Sequence, residues 1–212
     1  MPRPDRLVVG VGTATDVGKT WVGAQVLGRL RGHGVAVAAR KPVQSFEAGA
    51  GPTDAEVLAQ ATGEAPTEVC PAHRWYEVAM APPMAAEALG LAPFTLADLV
   101  DEIWWPRPTV VGWVETVGGP RSPVAADADS AALAAAVEPD LVVLVADAGL
   151  GAVNAVLLCV AVVPPPVVVV LNRFDGSDLH RRNRDWLIGA GVDVVVNVDE
   201  VAVRLGRATR RG

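Results

Sequence analysis

The segment from Val8 to Trp21, VVGVGTATDVGKTW, restricts the possible folds more than any other part of the sequence. It begins as an apolar strand and ends with GKT at residues 18–20, the ending of a phosphate-binding loop at the start of a helix. A buried strand that continues through such a loop into a helix is typical of α/β folds with a parallel sheet. The loop opens early, because the usual G-x-x-x-x-G-K-[ST] spacing would need a glycine at Thr13 and the chain has it at Gly12.

Short valine-rich runs, each bounded by turn residues, alternate with helical patterns along the chain. The runs are apolar on both faces, as expected for strands that helices cover on both sides. The alternation predicts one domain over residues 1–212, with a P-loop NTPase-like α/β fold and a mostly parallel sheet. Residues 63–94 contain several prolines and little periodicity, and they are expected to form one long excursion from the sheet. The predicted strands are RLVVGV, VAVAAR, TVVGWVE, LVVLVAD, VVVVLN and VDVVVNV.

Polar residues follow the predicted strands. Lys41 comes after the second strand, Glu115 ends the third and Asn172 ends the fifth. The loop at 12–20 follows the first strand, and the segment 149–154 follows the fourth. Because ligands of parallel sheets collect beyond the carboxyl ends of the strands, these residues are predicted to form one site.

The loop predicts a nucleotide-binding site. Backbone N–H groups at the head of a helix, together with the helix dipole, favour an anion. Lys19 would reach the outer phosphates, and the hydroxyl of Thr20 would bind Mg²⁺. Gly18 is needed because the backbone must approach the phosphate closely. The alternative is a glycine-containing turn that carries an ordinary surface lysine.

Two isolated acidic residues are candidate magnesium ligands. Glu115 ends an apolar strand, where a buried carboxylate is costly unless a cation or hydrogen-bond donors meet it. Asp54 opens a helix, so its alternative role is that of an N-cap. Lys41 lies at the end of a strand and precedes Pro42. There it would bring a second cation to the phosphates. The alternative is a surface lysine whose ammonium group reaches solvent.

Composition and charge exclude several classes of function. A net charge of -6 and a pI near 5.0 argue against a nucleic-acid partner, which would require a basic face. The most apolar segment, AVLLCVAVVPPPVVVVL, is broken by three prolines and predicts no membrane span. The N-terminal residues show no signal core, so a cytoplasmic location is expected. The scattered cysteines and histidines match no metal-binding pattern.

Six motifs, in their order and spacing, resemble the ATP-dependent dethiobiotin synthetase family over about residues 7–175. They are GTATDVGKT, KPVQS, TDAEVLAQATG, VETVGG, ADAGLGAVNAV and VVLNRFD. The resemblance implies a biotin-biosynthesis enzyme that uses ATP and Mg²⁺ and acts as a homodimer. Its substrate, 7,8-diaminononanoate (7,8-diaminopelargonate), takes up CO₂ to give a carbamate. ATP phosphorylates the carbamate, and the second amine displaces phosphate to close the cyclic urea of dethiobiotin.

The resemblance also implies a role for each matching position. Lys41 and Lys19 would be catalytic, because they would screen the repulsion between two anionic groups during phosphoryl transfer. Mg²⁺ would be held by Thr20, Asp54 and Glu115. The nucleotide would be bound by Asp16, Val17, Gly18, Lys19, Thr20, Glu115 and Asn172, the last of which would recognise adenine. The diamine and its carbamate would lie near Thr15, Ser45 and Gly118, and the substrate carboxylate would be received across the dimer interface by Gly151, Ala152, Val153 and Asn154.

Some residues depart from the family pattern. Ala14 replaces Asp or Gly, Phe46 replaces a common glycine, and Thr116-Val117 replaces Gly-Ala. These departures leave open a paralogue of the family that acts on a related amine.

Two other classes of nucleotide-binding protein have features in common with this sequence. Partition and septum-positioning ATPase switches have this general fold but carry a signature lysine where this chain has Ala14. Metallochaperone GTPases read guanine with an Asn-Lys-x-Asp motif, which NRFD at 172–175 resembles except for an arginine in place of the lysine. ATP-dependent turnover that needs a diamine distinguishes the synthetase from the switch, and a comparison of ATP with GTP binding distinguishes it from the GTPase.

Overall fold

The computed structural model describes residues 3–208 of the chain. Its elements alternate between strands and helices, as the sequence predicts. In chain order they are β1 (Arg6–Gly12), α1 (Lys19–Gly32), β2 (Val37–Arg40), β3 (Gln44–Ser45), α2 (Asp54–Thr62), α3 (Pro66–Val69), a 3₁₀ turn (Ala72–Arg74), β4 (Trp75–Tyr76), α4 (Pro82–Ala88), α5 (Leu96–Asp101), β5 (Val111–Glu115), β6 (Pro123–Ala125), β7 (Ala128–Asp129), α6 (Ser130–Ala136), β8 (Leu141–Asp147), α7 (Ala152–Val160), β9 (Val167–Asn172), α8 (Asp178–Gly189), β10 (Val194–Val195) and α9 (Val198–Ala208).

The central sheet has six strands in the order β10-β9-β8-β1-β5-β2, and each neighbouring pair is parallel. This confirms the predicted parallel α/β fold. Strand β1 lies between β5 and β8, and the register pairs Gly10 with Glu115 and Gly12 with Val145. The loop after β1 therefore emerges beside Glu115, at the rim where the other strands also end.

Helices cover both faces of the sheet. On one face α1, α2 and α9 pack on the strands, and on the other face α6, α7 and α8 do so. Valine predominates on both faces of the strands, which is why the sequence runs show no polar alternation.

Trp113 sets the distance between α1 and the sheet. Its side chain is fully buried on β5. Gly10 on β1 and Gly23 on α1 both lie against its ring, where an added Cβ would be 2.5 and 2.9 Å from ring atoms. Two glycines thus allow α1, and with it the phosphate loop, to pack closely on the strand that carries Glu115.

The chain departs from the predicted elements at the C-terminal edge. The run VDVVVNV, at the edge of the sheet, pairs with β9 through only two residues, Val194 and Val195. The chain then enters α9, a helix that sequence reasoning missed although Val198, Val201 and Leu205 recur at helical spacing. Val201 and Leu205 are buried against α1. The excursion at 63–94 contains the short elements α3, β4 and α4 rather than irregular chain alone.

None of the helices within residues 3–208 is both long enough and apolar enough to cross a membrane. The apolar segment before the three prolines forms α7, which has 9 residues and ends at Val160.

Candidate active site

The phosphate loop joins the end of β1 to the start of α1. Gly18 is the N-cap of α1 and has a φ of 92°, and Asp16 has a φ of 59°. Left-handed residues followed directly by a helix N-terminus form a concave array of backbone amides that suits phosphate. At the other end of the loop, Thr13 N donates to Val145 O on β8 over 2.8 Å. The early opening of the loop is therefore compatible with the usual strand–loop–helix geometry.

A cavity of about 750 Å³ lies over this loop. It brings together residues that are far apart in sequence, and most of the predicted site residues line it. Glu115 lies behind the lining, fully buried, in contact with both Thr20 and Lys41. The predicted site residues that line the cavity are Thr15, Asp16, Gly18, Lys19, Thr20, Lys41, Ser45, Asp54 and Gly118.

Lys41 occupies the centre of the charged cluster. Its Nζ lies 2.7 Å from Asp54 Oδ2 and 2.8 Å from Glu115 Oε1, and it donates to Thr116 O over 3.1 Å. The side chain is only 2% exposed. The alternative of a surface lysine is therefore wrong, and the burial of Lys41 depends on its two carboxylate partners.

Thr20 completes the cluster from the phosphate loop. Its hydroxyl oxygen lies 2.7 Å from Asp54 Oδ1 and 2.9 Å from Glu115 Oε1. The N-cap of α2 is Thr53, whose side chain accepts from Glu56 N. Asp54 thus does not cap the helix, and its carboxylate is directed toward the loop and Lys41.

The charges of the cluster follow from burial and proximity. Burial lowers the pKa of Lys41, but the carboxylates of Asp54 and Glu115 outweigh it and leave that pKa raised, so Lys41 is an ammonium ion. Burial acts to raise the pKa of Asp54, yet Lys41 overcomes this and lowers it to about 2. Full burial raises the pKa of Glu115, because the attraction of Lys41 offsets the desolvation only in part.

Lys19 is the less compensated of the two cations. Burial and then repulsion from Lys41 lower its pKa. Its Nζ donates to Ala14 O over 3.3 Å, and in the described part of the chain it forms no ion pair. The 212-residue sequence contains two lysines, Lys19 and Lys41, and both line this one cavity. An anion that enters the cavity would therefore find positive charge on the loop side.

The oxygen donors of the cluster fit Mg²⁺. Hydroxyl and carboxylate oxygens are the hard ligands that this ion prefers. Glu115 Oε2 is buried and has no hydrogen-bond partner among the described residues, so one carboxylate oxygen remains available. Within residues 3–208 no group of three or more His, Cys, Asp or Glu side chains suits a metal. An ion held by Thr20, Asp54 and Glu115 would accordingly complete its shell with phosphate oxygens and water.

Comparison with known proteins finds relatives over most of the chain. The family model described as "AAA domain" matches residues 6–200. The ATP-dependent dethiobiotin synthetase BioD of Anaeromyxobacter dehalogenans is 36% identical, over 79% of this chain and 76% of that protein. The BioD of Rhodococcus jostii is 33% identical, over 96% of this chain and 90% of that protein.

The chain belongs to the dethiobiotin synthetase family.

A solved structure supports the fold alone. The chloroplast FtsY of Physcomitrella patens superposes with a TM-score of 0.52 at 18% identity. The match covers 94% of this chain but 61% of that one, which is less than two thirds of its length. At this identity the likeness concerns the arrangement of strands and helices and not the chemistry.

Two residues at the end of β9, its last residue Asn172 and the following Arg173, brace the phosphate loop. Asn172 Nδ2 donates to Val17 O over 2.9 Å, and Arg173 Nη2 donates to Asp16 O over 2.7 Å. Arg173 Nη1 also donates to Asp147 Oδ2 at the end of β8 over 2.8 Å. Sequence reasoning considered Arg173 only as a departure from a guanine-reading motif and missed this contact. No local signal reveals it, because the loop and β9 are more than 150 residues apart.

The departures from the family pattern have different consequences. Thr116 is fully buried and its Oγ1 donates to Gly10 O over 3.2 Å, so its side chain is turned into the sheet and adds no bulk to the cavity. Val117, in contrast, lines the cavity. Phe46 packs edge-on against Trp75, with ring centroids 6.0 Å apart.

The predicted substrate residues divide into two groups. Ser45 and Gly118 line the cavity with Thr15, and Ser45 Oγ donates to Met80 O over 2.5 Å. Gly151, Ala152, Val153 and Asn154 lie at the start of α7 and do not line the described cavity of their own chain. The cavity also includes Gln44, Met80 and Ser122, which sequence reasoning did not single out. Gln44 could have been noticed, because it lies within the KPVQS motif.

Proposed function

We propose that this protein is an ATP-dependent dethiobiotin synthetase, which carboxylates 7,8-diaminononanoate with CO₂ and closes the ring to dethiobiotin, with ADP and phosphate as the other products. The observation that carries the proposal is the contact of Lys41 with both Asp54 and Glu115 in the cavity that holds Lys19 and the phosphate loop. Membership of the dethiobiotin synthetase family supports the choice of substrate.

The arrangement of cations suits an anionic phosphoryl acceptor. In the first transfer a carbamate oxygen attacks the γ-phosphorus of ATP and ADP leaves, so two negative groups must approach each other. Lys19 on the loop and Lys41 at the end of β2 supply positive charge on the walls of one cavity, which lowers that repulsion and stabilises charge on the transferred group. Bound Mg²⁺, held by Thr20, Asp54 and Glu115, would supply further neutralisation of the phosphates.

The second step closes the ring. The free amine attacks the carbonyl carbon of the carbamoyl phosphate, and phosphate leaves with the C–O bond electrons. This attack is intramolecular, and fixing the diamine in the cavity would hold the amine and the carbonyl carbon in a favourable geometry. Thr15, Ser45 and Gly118 lie in the cavity wall, where they would contact the diamine.

Product analysis tests this function. We expect phosphate release from ATP to require both 7,8-diaminononanoate and bicarbonate, because phosphoryl transfer needs the carbamate as its acceptor. With ¹³C-labelled bicarbonate, mass spectrometry should show the label in the ring carbonyl of dethiobiotin. Phosphate release that is equal with and without the diamine would instead indicate an ATPase switch.

We further propose that Asn172 favours adenine over guanine. Its Nδ2 is committed to Val17 O, which leaves Oδ1 as the acceptor for a base. The amino group of adenine can donate to that oxygen, whereas guanine presents a carbonyl oxygen at the same position and would leave two acceptors facing each other.

A competition experiment measures this preference. ATP should displace a fluorescent ATP analogue at a concentration at least about tenfold lower than GTP does, because one unsatisfied hydrogen bond in a closed site costs about that factor or more. The matched control is the same competition on the variant Asn172→Ala. In this variant the ratio of the GTP to the ATP concentration needed for displacement should fall toward one. Equal displacement of the wild-type protein by the two nucleotides would contradict the assignment.

We also propose that the enzyme acts as a homodimer. The residues at the start of α7 that are matched to the substrate carboxylate do not line their own cavity, and a helix N-terminus suits an anion. Beside them, Leu150 is 93% exposed and Leu158 on α7 is 64% exposed. A second subunit packed on this apolar surface would bury these leucines and bring its α7 toward the first cavity.

A further inference from the structure

Gln44 is a buried side chain in the wall of the cavity that the proposed chemistry does not use. It is 2% exposed and lies three residues after Lys41. Its Oε1 accepts from Ala55 N over 3.0 Å, whereas its Nε2 has no hydrogen-bond partner among the described residues. The acceptor oxygen is therefore the part of the side chain that the fold engages.

Ala55 directly follows Asp54 in the first turn of α2. This turn has its own capping box, in which Thr53 Oγ1 accepts from Glu56 N over 3.3 Å and Thr53 N donates to Glu56 Oε2 over 2.7 Å. Ala55, Leu58 and Ala59 are also buried in the core against α1. The capping box and the core contacts thus stabilise the helix independently of Gln44. The bond from Ala55 N to Gln44 in addition ties the start of α2 to the segment that carries Lys41.

The segment that carries Gln44 is itself rigid. Lys41 N donates to Val69 O over 2.8 Å, Gln44 pairs with Trp75 in the short sheet of β3 and β4, and Phe46 N donates to Tyr76 O over 3.0 Å. Two links run from this segment to the start of α2. One is the ion pair of Lys41 with Asp54, and the other is the neutral hydrogen bond of Gln44 with Ala55.

The two links respond differently to a divalent cation. A cation held by Asp54 competes with Lys41 for that carboxylate, so the ion pair weakens when the cation binds. The hydrogen bond from Ala55 N to Gln44 carries no net charge and persists. We propose that Gln44 is a positioning residue for the metal carboxylate: it holds the backbone next to Asp54, so that the carboxylate stays beside Thr20 when a divalent cation binds. This inference rests on the Mg²⁺–ATP chemistry proposed above.

The test is the Mg²⁺ dependence of nucleotide binding, measured by calorimetry with ATP in the absence of the diamine. In Gln44→Met, which keeps the length of the side chain but removes the acceptor, we expect the Mg²⁺ concentration for half-maximal enhancement of ATP binding to rise about tenfold, as is usual when a group that orients a metal ligand is lost. ATP binding in EDTA should stay at the wild-type level, which shows that the phosphate loop is intact.

Glu56→Ala is the matched control. Glu56 is exposed and its loss breaks half of the capping box in the same helical turn, but it leaves the bond between Gln44 and Ala55 in place. We expect this variant to lower thermal stability and to leave the Mg²⁺ dependence within about twofold of wild type. Equal shifts in the two variants, or no shift in Gln44→Met, would overturn the inference.

The outcomes also separate this inference from the proposed function. If the wild-type protein shows no Mg²⁺-dependent binding of ATP, the proposed function fails. If the wild-type protein binds Mg²⁺–ATP and Gln44→Met binds it equally well, only the role of Gln44 is wrong.

Discussion

Replacing Lys41 with methionine is expected to lower the rate of dethiobiotin formation about a hundred- to a thousandfold, the usual cost of removing one preorganised group that stabilises transition-state charge. Methionine fills similar space but carries no charge for the acceptor or the transferred group. Affinity for Mg²⁺–ATP should stay within about threefold of wild type, because the loop, Lys19 and the carboxylates remain and one competitor for Asp54 and Glu115 is gone. Product formation by mass spectrometry and ATP binding by calorimetry measure the two effects.

The same substitution has a second, structural signature. Without Lys41 the buried carboxylate of Glu115 loses its cation, and breaking a buried pair costs about 3–5 kcal/mol of folding stability. The thermal midpoint should therefore fall in EDTA and recover when Mg²⁺ and ATP are added. Lys41→Met/Glu115→Gln, which removes both charges, is the control and should regain stability in EDTA but not activity. A fully active Lys41→Met protein would show that the assigned role of Lys41 is wrong.

Replacing Gly18 with alanine is expected to weaken ATP binding by about a hundredfold or more. The residue has a φ of 92°, which costs an L-residue about 1–2 kcal/mol. An added Cβ would also lie 2.2 Å from Asn172 Nδ2, so the amide that holds Val17 O must move. Both effects displace the loop from the shape that the phosphates require, and the free energy of unfolding should fall as well. Calorimetric titration with ATP and chemical denaturation measure the two losses.

Gly28→Ala is the matched control for this prediction. Gly28 lies on the same helix, is exposed, and has no atom within 4 Å of the position of an added Cβ. Alanine there should stabilise the protein by up to about 1 kcal/mol, because alanine is the better helix former, and should leave ATP binding unchanged. If Gly18→Ala bound ATP as tightly as the wild type, the loop would not be the phosphate site.

Much of the fold was predictable because its elements follow local patterns. The valine-rich runs, the glycine-bounded loop and the helical stripe of α1 each carry their signal within about ten residues. The extent of β10 and the presence of α9 were misjudged. VDVVVNV has the composition of a strand, but only Val194 and Val195 pair with β9 before the chain turns into α9. The apolar stripe of α9, which packs on α1, was a local helical signal that was overlooked.

The sequence allowed candidate site residues to be chosen, but it did not predict which of them contact one another. Lys41, Asp54 and Glu115 were chosen as isolated charges near strand or helix ends, which is a local property. The bond of Lys41 to both acids, and the bracing of the loop by Asn172 and Arg173, were not predictable from any spacing. The same holds for the two adjacent departures from the family pattern, Thr116 and Val117. The side chain of Thr116 is directed into the sheet and that of Val117 toward the cavity, and the sequence does not reveal which is which.

The sequence by itself determined that a phosphate loop follows a buried strand and that charged residues end the neighbouring strands, because backbone conformation and hydrophobic patterning are short-range properties. Only the tertiary structure decided that the two lysines of the chain share one cavity, and that one of them is held between two carboxylates. Those distances depend on the register of β1 with β5 and on the packing of α2 against α1, and electrostatic energy at a few ångströms changes too steeply with distance to be inferred from position along a chain.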